Sequence, residues 1–397
     1  MTITRAAHVL CSCAICCLDS LTLSLIPSLI DDHSLLKGTP MPTLLTPLQA
    51  GDILLPNRIV MAPLTRVRAG ASHIPNDMMV DYYSQRASSG LMMTECTMID
   101  AHACAFMGEG GIYSPAHIAG WQRVTDAVHA KGGRIFMQIW HPGRAAHSLL
   151  NDGEQPVSSS AVAIRHSVTS TQEGAKPYEV PRALGTEEVP RYVERFRLAA
   201  HNAHRAGFDG VQIHGAHGYL IDNFLRDGVN VRTDVYGGSV ENRARFLLEV
   251  TDAAVSVWGA GRVAVRISPL VPFNDMVDSQ PTALVTYVAR ELSGRGIAFL
   301  EIRHENHALP EEQAILAVAR RNFRGVLMSN GSYTRESGES TVACGAADAI
   351  VYGRPYIANP DLVDRFVKQV PLNEVNYERL YGGGPDGYSD YPALAAN

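Results

Sequence analysis

The 397-residue sequence lacks the marks of several function classes. No G-x-G-x-x-G turn follows an early strand, and G-x-x-x-x-G-K-[ST] does not occur, which argues against a dedicated dinucleotide-binding or P-loop domain. No run of basic residues interrupts a formal net charge of −6, so nucleic acid is not expected as the main partner. Cysteine is scarce in the body of the chain. Of seven cysteines, four crowd the start as Cys11, Cys13, Cys16 and Cys17, leaving Cys96, Cys104 and Cys344 scattered. A disulfide framework would distribute its cysteines across the fold, so a reduced, cytoplasmic protein is expected. The CSCAICC cluster invites a metal, but no second cysteine or histidine pair at ligand spacing completes a site, and none is expected. No internal repeat of fixed period is evident. The apolar stretch up to Ile30 is broken by Asp19, which makes it a poor membrane anchor. Residues 1–40 are expected to be an extension that is disordered or removed, and Met41 opens a segment that reads as a natural beginning.

What the sequence does contain is a regular alternation. Apolar, β-branched runs occupy 59–64, 91–99, 134–140, 210–215, 262–269, 298–304, 325–330 and 349–354. Continuous apolar runs are what parallel strands buried on both faces require. Between them lie amphipathic stretches such as 118–133, 193–208 and 241–259. In the second, Phe196, Ala199, Ala200 and Ala203 recur at helical spacing, and Gly207 follows as a stop. Eight strand–helix units predict an α/β fold of the (β/α)8 TIM-barrel type, spanning residues 41–397 as one domain. A segment rich in Ser, Pro and Thr from Arg144 to Pro190 follows the third strand, and it is expected to cap the active site.

In such a barrel, chemistry sits at the C-terminal ends of the strands. Thr65 closes the first strand, Gln138 and Trp140 the third, and His214, His217 and Tyr219 the fourth. Arg266 lies in the fifth, Asn330 and Gly331 end the seventh, and Gly353 and Arg354 the eighth. Small residues after strands seven and eight let backbone N–H groups approach an anion, to which Arg354 adds charge. Gln138, Arg266 and Thr65 offer donors to a flat, acceptor-rich ring, and a fixed cation beside a flavin tunes its potential. His214 and His217 have no carboxylate at metal-ligand spacing, so they read as neutral hydrogen-bond donors.

NRIVMAPLTR, QRASSGLMMTE, FMQIWHPGR, GFDGVQIHGAHGYLIDNFL, VRTDVYGGSVENRARFLLEV, VAVRISP, YGRPYIANPDLV and GYSDYP occur in that order. Together they resemble the motifs of the Old Yellow Enzyme family, over essentially Met41 to Pro392. The resemblance implies an FMN-dependent oxidoreductase that accepts hydride from NADPH and reduces activated C=C bonds of α,β-unsaturated carbonyls, quinones or related electrophiles by a ping-pong cycle. It implies that Thr65 bonds the flavin O4, Gln138 the pyrimidine edge and Arg266 the N1–O2 region. Pro63, Leu64 and the Cys96 position would line the isoalloxazine, while Asn330, Gly331, Gly353 and Arg354 would hold the phosphate. His214 and His217 would grip the substrate oxygen and Tyr219 would donate the proton, with Trp140, Phe273 and Tyr381 shaping the pocket. Cys96 departs from the family pattern, which has a small Gly or Ala there, and the seventh strand ends in Ser-Asn-Gly-Ser rather than a more glycine-rich form.

Alternatives stay open at this level. The main substrate could be a nitro compound or a prostaglandin endoperoxide, as for the prostaglandin F2α synthases of parasitic protozoa that the resemblance brings in. A different FMN barrel dehydrogenase would need a base placed to take a proton from substrate, and none is visible. A barrel hydrolase or aldolase would want a carboxylate cluster or a Schiff-base lysine. A non-catalytic barrel would be expected to lose the histidine pair or Tyr219. The partner is expected to be a small electrophile, with neither nucleic acid nor membrane, and the protein a monomer or homodimer.

Overall fold

Each apolar run carries side chains alternately to two faces, and the computed structural model, which describes residues 41–395, shows where the faces point. The strands are β1 (Ile59–Met61), β2 (Leu91–Met93), β3 (Ile135–Trp140), β4 (Gly210–Gly215), β5 (Val263–Ile267), β6 (Phe299–Arg303), β7 (Val326–Asn330) and β8 (Ala349–Tyr352). All eight pair in parallel with their sequence neighbours, and β8 pairs with β1, so the sheet closes and leaves no edge. Helices follow the strands in turn: α1 (Asp77–Ser84), α2 (Pro115–His129), α3 (Val189–Arg205), α4 (Val240–Trp258), α5 (Pro281–Arg295), α6 (Pro310–Asn322), α7 (Arg335–Ala343) and α8 (Leu362–Lys368). The (β/α)8 barrel expected from the alternation is the observed fold. The expectation for residues 1–40 lies outside the described residues.

Outward residues such as Ile59, Ile135, Ile139, Val211, Val265 and Leu300 join the helices in one large core. Inward residues Val60, Leu91, Phe136, Ala264, Phe299, Met328 and Ala349 form a second, smaller core inside the barrel. Ala50, Ile53 and Leu55, from the hairpin Leu48–Ala50/Ile53–Leu55 that precedes β1, belong to it too. One end of the barrel is thereby filled with hydrocarbon, and polar inward residues are confined to the other. Helix α3 buries Phe196, Ala199, Ala200 and Ala203, as the spacing predicts. Gly207, at φ +80°, takes the chain out of it.

Two features differ from the expectation. The run 91–99 is not one strand: pairing with β3 stops at Met93 and resumes at Thr97 and Met98. In the gap the Gln138 N–H donates to the Thr94 hydroxyl at 3.0 Å, and the Glu95 N–H donates to the Tyr83 hydroxyl at 2.9 Å. Side chains thus replace ladder partners, and the break turns Cys96 toward the mouth of the barrel. The insertion between β3 and α3 stands where expected and contains the hairpin Val168–Thr171/Gly174–Pro177. None of its residues lines the main cavity; instead Ile164 and Tyr178 pack against the cluster around Trp140 and Tyr219. It supports the wall from behind.

Candidate active site

The polar end of the barrel opens into a cavity of about 960 Å³. At its floor a chain of hydrogen bonds, closed by one ion pair, crosses the barrel. Gln138 Nε2 donates to Gln212 Oε1 at 2.8 Å, and Gln212 Nε2 to Glu301 Oε2 at 2.7 Å. Glu301 Oε1 lies 3.1 Å from Arg266 Nε, and Arg266 Nη2 donates to Asn330 Oδ1 at 3.0 Å. Asn330 Nδ2 then donates to the Val351 carbonyl at 2.6 Å. All five side chains are buried, so each partner removes a desolvation cost as well as fixing a rotamer. Asn330 therefore turns its amide toward Arg266 and Val351.

The turn after β4 carries His214, His217 and Tyr219. His217 sits in the left-handed region at φ +59° and Gly218 follows at +72°. A Cβ on Gly218 would come within 2.7 Å of Met276 and 2.8 Å of Asn274, so glycine is demanded twice over. The strained turn is held by its own polar groups. The His217 N–H donates to Ser268 Oγ at 2.8 Å and the Gly218 N–H to Asp222 Oδ2 at 2.8 Å. Asn274 and Asn223 donate to the His217 and Gly218 carbonyls at 2.9 and 2.7 Å. The His214 and His217 rings stand nearly perpendicular with centroids 5.6 Å apart, and the Tyr219 ring lies 5.2 Å from that of His214.

Burial, reinforced by the Arg266 charge, pushes both histidines well below the usual imidazole range. Burial raises the Tyr219 phenol well above its ordinary value. Two neutral imidazoles and a protonated phenol therefore face one cavity, an arrangement that can hold a negatively charged oxygen and deliver a proton beside it.

Of the residues singled out from the sequence, Pro63, Leu64, Thr65, Cys96, Gln138, His214, His217, Tyr219, Arg266, Phe273, Asn330, Gly331, Gly353, Arg354 and Tyr381 all line this cavity. Phe273 and Tyr381 are at its rim, 53% and 68% exposed. Trp140 does not line it. The indole is fully buried, edge-on to Tyr219 at 5.1 Å and stacked with Phe106 at 6.1 Å, so Phe106 forms the wall and Trp140 backs the phenol. Gly331 has a packing reason of its own, since a Cβ there would lie 2.7 Å from that of His304.

The sequence reading missed Gln212, Glu301 and Arg303. Glu301 and Arg303 interrupt an otherwise apolar run at alternate positions, on the inward parity set by Phe299, and that period could have exposed them. Thr65 Oγ1 lies 2.9 Å from Cys96 Sγ, and burial pushes that thiol up.

Residues 43–373 match the NADH:flavin oxidoreductase / NADH oxidase family. The chain belongs to the Old Yellow Enzyme family, and is thus a flavin oxidoreductase. It is 48% identical over 356 residues to a probable flavin mononucleotide-dependent alkene reductase of Leishmania infantum, covering 88% of this chain and 97% of that one. It is 42% identical over 359 residues to 12-oxophytodienoate reductase 1 of Oryza sativa subsp. japonica, covering 88% and 93%. A morphinone reductase solved with tetrahydroNAD superposes with TM-score 0.86 at 44% identity, covering 89% of this chain and 98% of that one. The old yellow enzyme homologue from Zymomonas mobilis gives 0.86 at 43% identity, covering 89% and 100%.

FMN is the cofactor that goes with this Old Yellow Enzyme membership, and the cavity suits it. Its volume is that of a large ligand site. Gln138 and Arg266 line the floor, Arg303 leaves Nη1 buried without a hydrogen-bond partner, and Glu305 is the one acidic residue among those lining it. Among the described residues no helix is long and apolar enough to cross a membrane, and no group of three or more His, Cys, Asp or Glu could hold a metal ion.

Proposed function

We propose that the protein is an FMN-dependent ene-reductase that uses NADPH to saturate C=C bonds conjugated to a carbonyl or similar electron-withdrawing group. The observation that carries this reading is the placement of His214, His217 and Tyr219 together on the lining of one cavity. Bound FMN would supply the hydride-transfer chemistry between the nicotinamide and the substrate's β-carbon. Thr65, Gln138 and Arg266 would hold its ring system with the backbone around Pro63, Leu64 and Cys96, while Gly331, Gly353 and Arg354 would hold its phosphate beside Asn330. His214 and His217 each offer one N–H to the substrate oxygen, where charge accumulates as the β-carbon gains hydride. Neutral N–H donors accept the uncharged carbonyl, and their hydrogen bonds strengthen as its oxygen becomes enolate-like. Tyr219, kept protonated by burial, gives its proton to the α-carbon; the product gains one hydride and one proton. Phe106, Phe273 and Tyr381 bound the space above and exclude part of the solvent.

NADPH as the donor rests on the family resemblance. Cytoplasmic residence is supported by the thiols of Cys96, Cys104 and Cys344, which are free among the described residues. The names of the alkene, 12-oxophytodienoate and morphinone reductases support activated alkenes as the substrate class.

Stopped-flow measurement of the two half-reactions tests the assignment. Tyr219→Phe should leave flavin reduction by NADPH within about twofold of wild type and slow reoxidation by a cyclic enone roughly 10²–10⁴-fold. Equal slowing of both halves would remove Tyr219 from the role of proton donor.

A further inference from the structure

Arg303 ends β6 with its side chain on the inward parity, and its guanidinium lines the cavity. Nη1 is buried with no hydrogen-bond partner, and the side chain makes no ion pair among the described residues. Burial, with the neighbouring Arg266 charge adding to it, pulls its pKa down to about 10. The other cations of the cavity differ. Arg266 is matched by Glu301 at 3.1 Å, and Arg66, whose Nη1 is likewise buried without a partner, gives Nε and Nη2 to the Leu380 and Gly387 carbonyls at 2.9 and 2.5 Å. Arg354 has no ion pair among the described residues and is exposed. Arg303 stands in register with Asn330, directly before Gly331 on the neighbouring strand. Glu301, Glu305 and Glu312 attract it without touching it; a partly buried cation with no carboxylate in contact is costly to keep, and an arriving anion offsets that cost.

We infer that Arg303 is an anion-binding residue that grips the phosphate of the bound flavin nucleotide together with Arg354. This rests on the FMN reading above. A phosphate monoester carries about −1.5 to −2 charge near pH 7, more than Arg354 alone neutralises. Arg303, the less exposed of the two, acts in the lower dielectric, where one charge contributes more. A planar guanidinium can also engage two phosphate oxygens at once.

The experiment compares two flavins that differ only by that phosphate. The full-length protein is stripped of flavin, and binding of FMN and of riboflavin is followed by quenching of flavin fluorescence, without pyridine nucleotide. Arg303→Met should raise the Kd for FMN about 10- to 100-fold and change that for riboflavin by less than about twofold. Arg303→Lys keeps the charge and should retain most of the preference for FMN; it serves as the informative variant if Arg303→Met does not fold. Equal weakening of both flavins in Arg303→Met, or an unchanged FMN-to-riboflavin ratio in both variants, overturns the inference. Wild-type protein that binds neither flavin overturns the FMN reading itself, a separate result.

Discussion

Burial and the Arg266 charge act in the same direction on His214 and His217, and this fixes a sign. A histidine whose folded pKa lies below its unfolded value takes up a proton on unfolding as the pH drops below about 6.5. Stability is therefore lost on acidification below that point, while above it the two rings contribute no pH dependence. Tyr219 is shifted upward and stays protonated past about pH 10. The enone half-reaction should accordingly change by less than about twofold between roughly pH 6.5 and 9, as far as these groups control it. A steep titration in that window, seen in single-turnover reoxidation rates, would contradict the protonation states assigned here. His214→Ala should slow that half-reaction about 10²–10³-fold, the usual loss for one donor to a developing oxyanion.

The interrupted second strand is the element that sets the front of the pocket. Its break places Glu95 under the loop leaving β1, where Oε2 accepts the N–H groups of Arg66 and Val67 at 3.1 and 3.3 Å. Burial outweighs these bonds and raises the carboxyl to about 7. A raised folded pKa means stability that is present below the unfolded value and lost as pH rises through about 7. Glu95→Gln cannot ionise. Relative to wild type it should gain on the order of 2 kcal/mol in chemical denaturation between about pH 5.5 and 8.5. A difference that stays constant with pH would show that Glu95 is not a buried titrating group. The turn carrying His217 and Gly218 shows the complementary case, where strain is carried by bonds from Ser268, Asp222, Asn223 and Asn274 rather than relieved.

Across the whole molecule, one polar layer joins six of the eight strands. Gln138, Gln212, Arg266, Glu301 and Asn330 come from β3, β4, β5, β6 and β7, and the chain ends on the β8 carbonyl of Val351. Glu301 is its hinge point, because it accepts from Gln212 and faces Arg266. Glu301→Ala leaves a buried guanidinium without a counter-charge, which costs about 3–5 kcal/mol; Glu301→Gln keeps a partner for Gln212 and should cost less. Thermal unfolding of the holoprotein checks the order: a Glu301→Ala midpoint equal to wild type would mean that the layer does not hold the barrel together.

The sequence by itself determined the barrel, since continuous apolar runs separated by helical periods have few other ways to bury both strand faces. It also pointed to most of the site, because the barrel sends the C-terminal ends of all its strands to one mouth. Strand-end residues as far apart in the chain as Thr65 and Arg354 thus become neighbours. Tertiary structure alone decided three things. Trp140 shares the inward parity of Gln138, yet Phe106 from another loop covers it, and no local pattern encodes that shielding. The insertion after β3 reads as a cap but packs behind Tyr219, because Ile164 and Tyr178 find apolar partners there. Arg303 reads as one more arginine until the distances show that Glu301 is already taken by Arg266. Hydrophobic period is a local property, whereas the pairing of charges depends on which strands the closed sheet brings together.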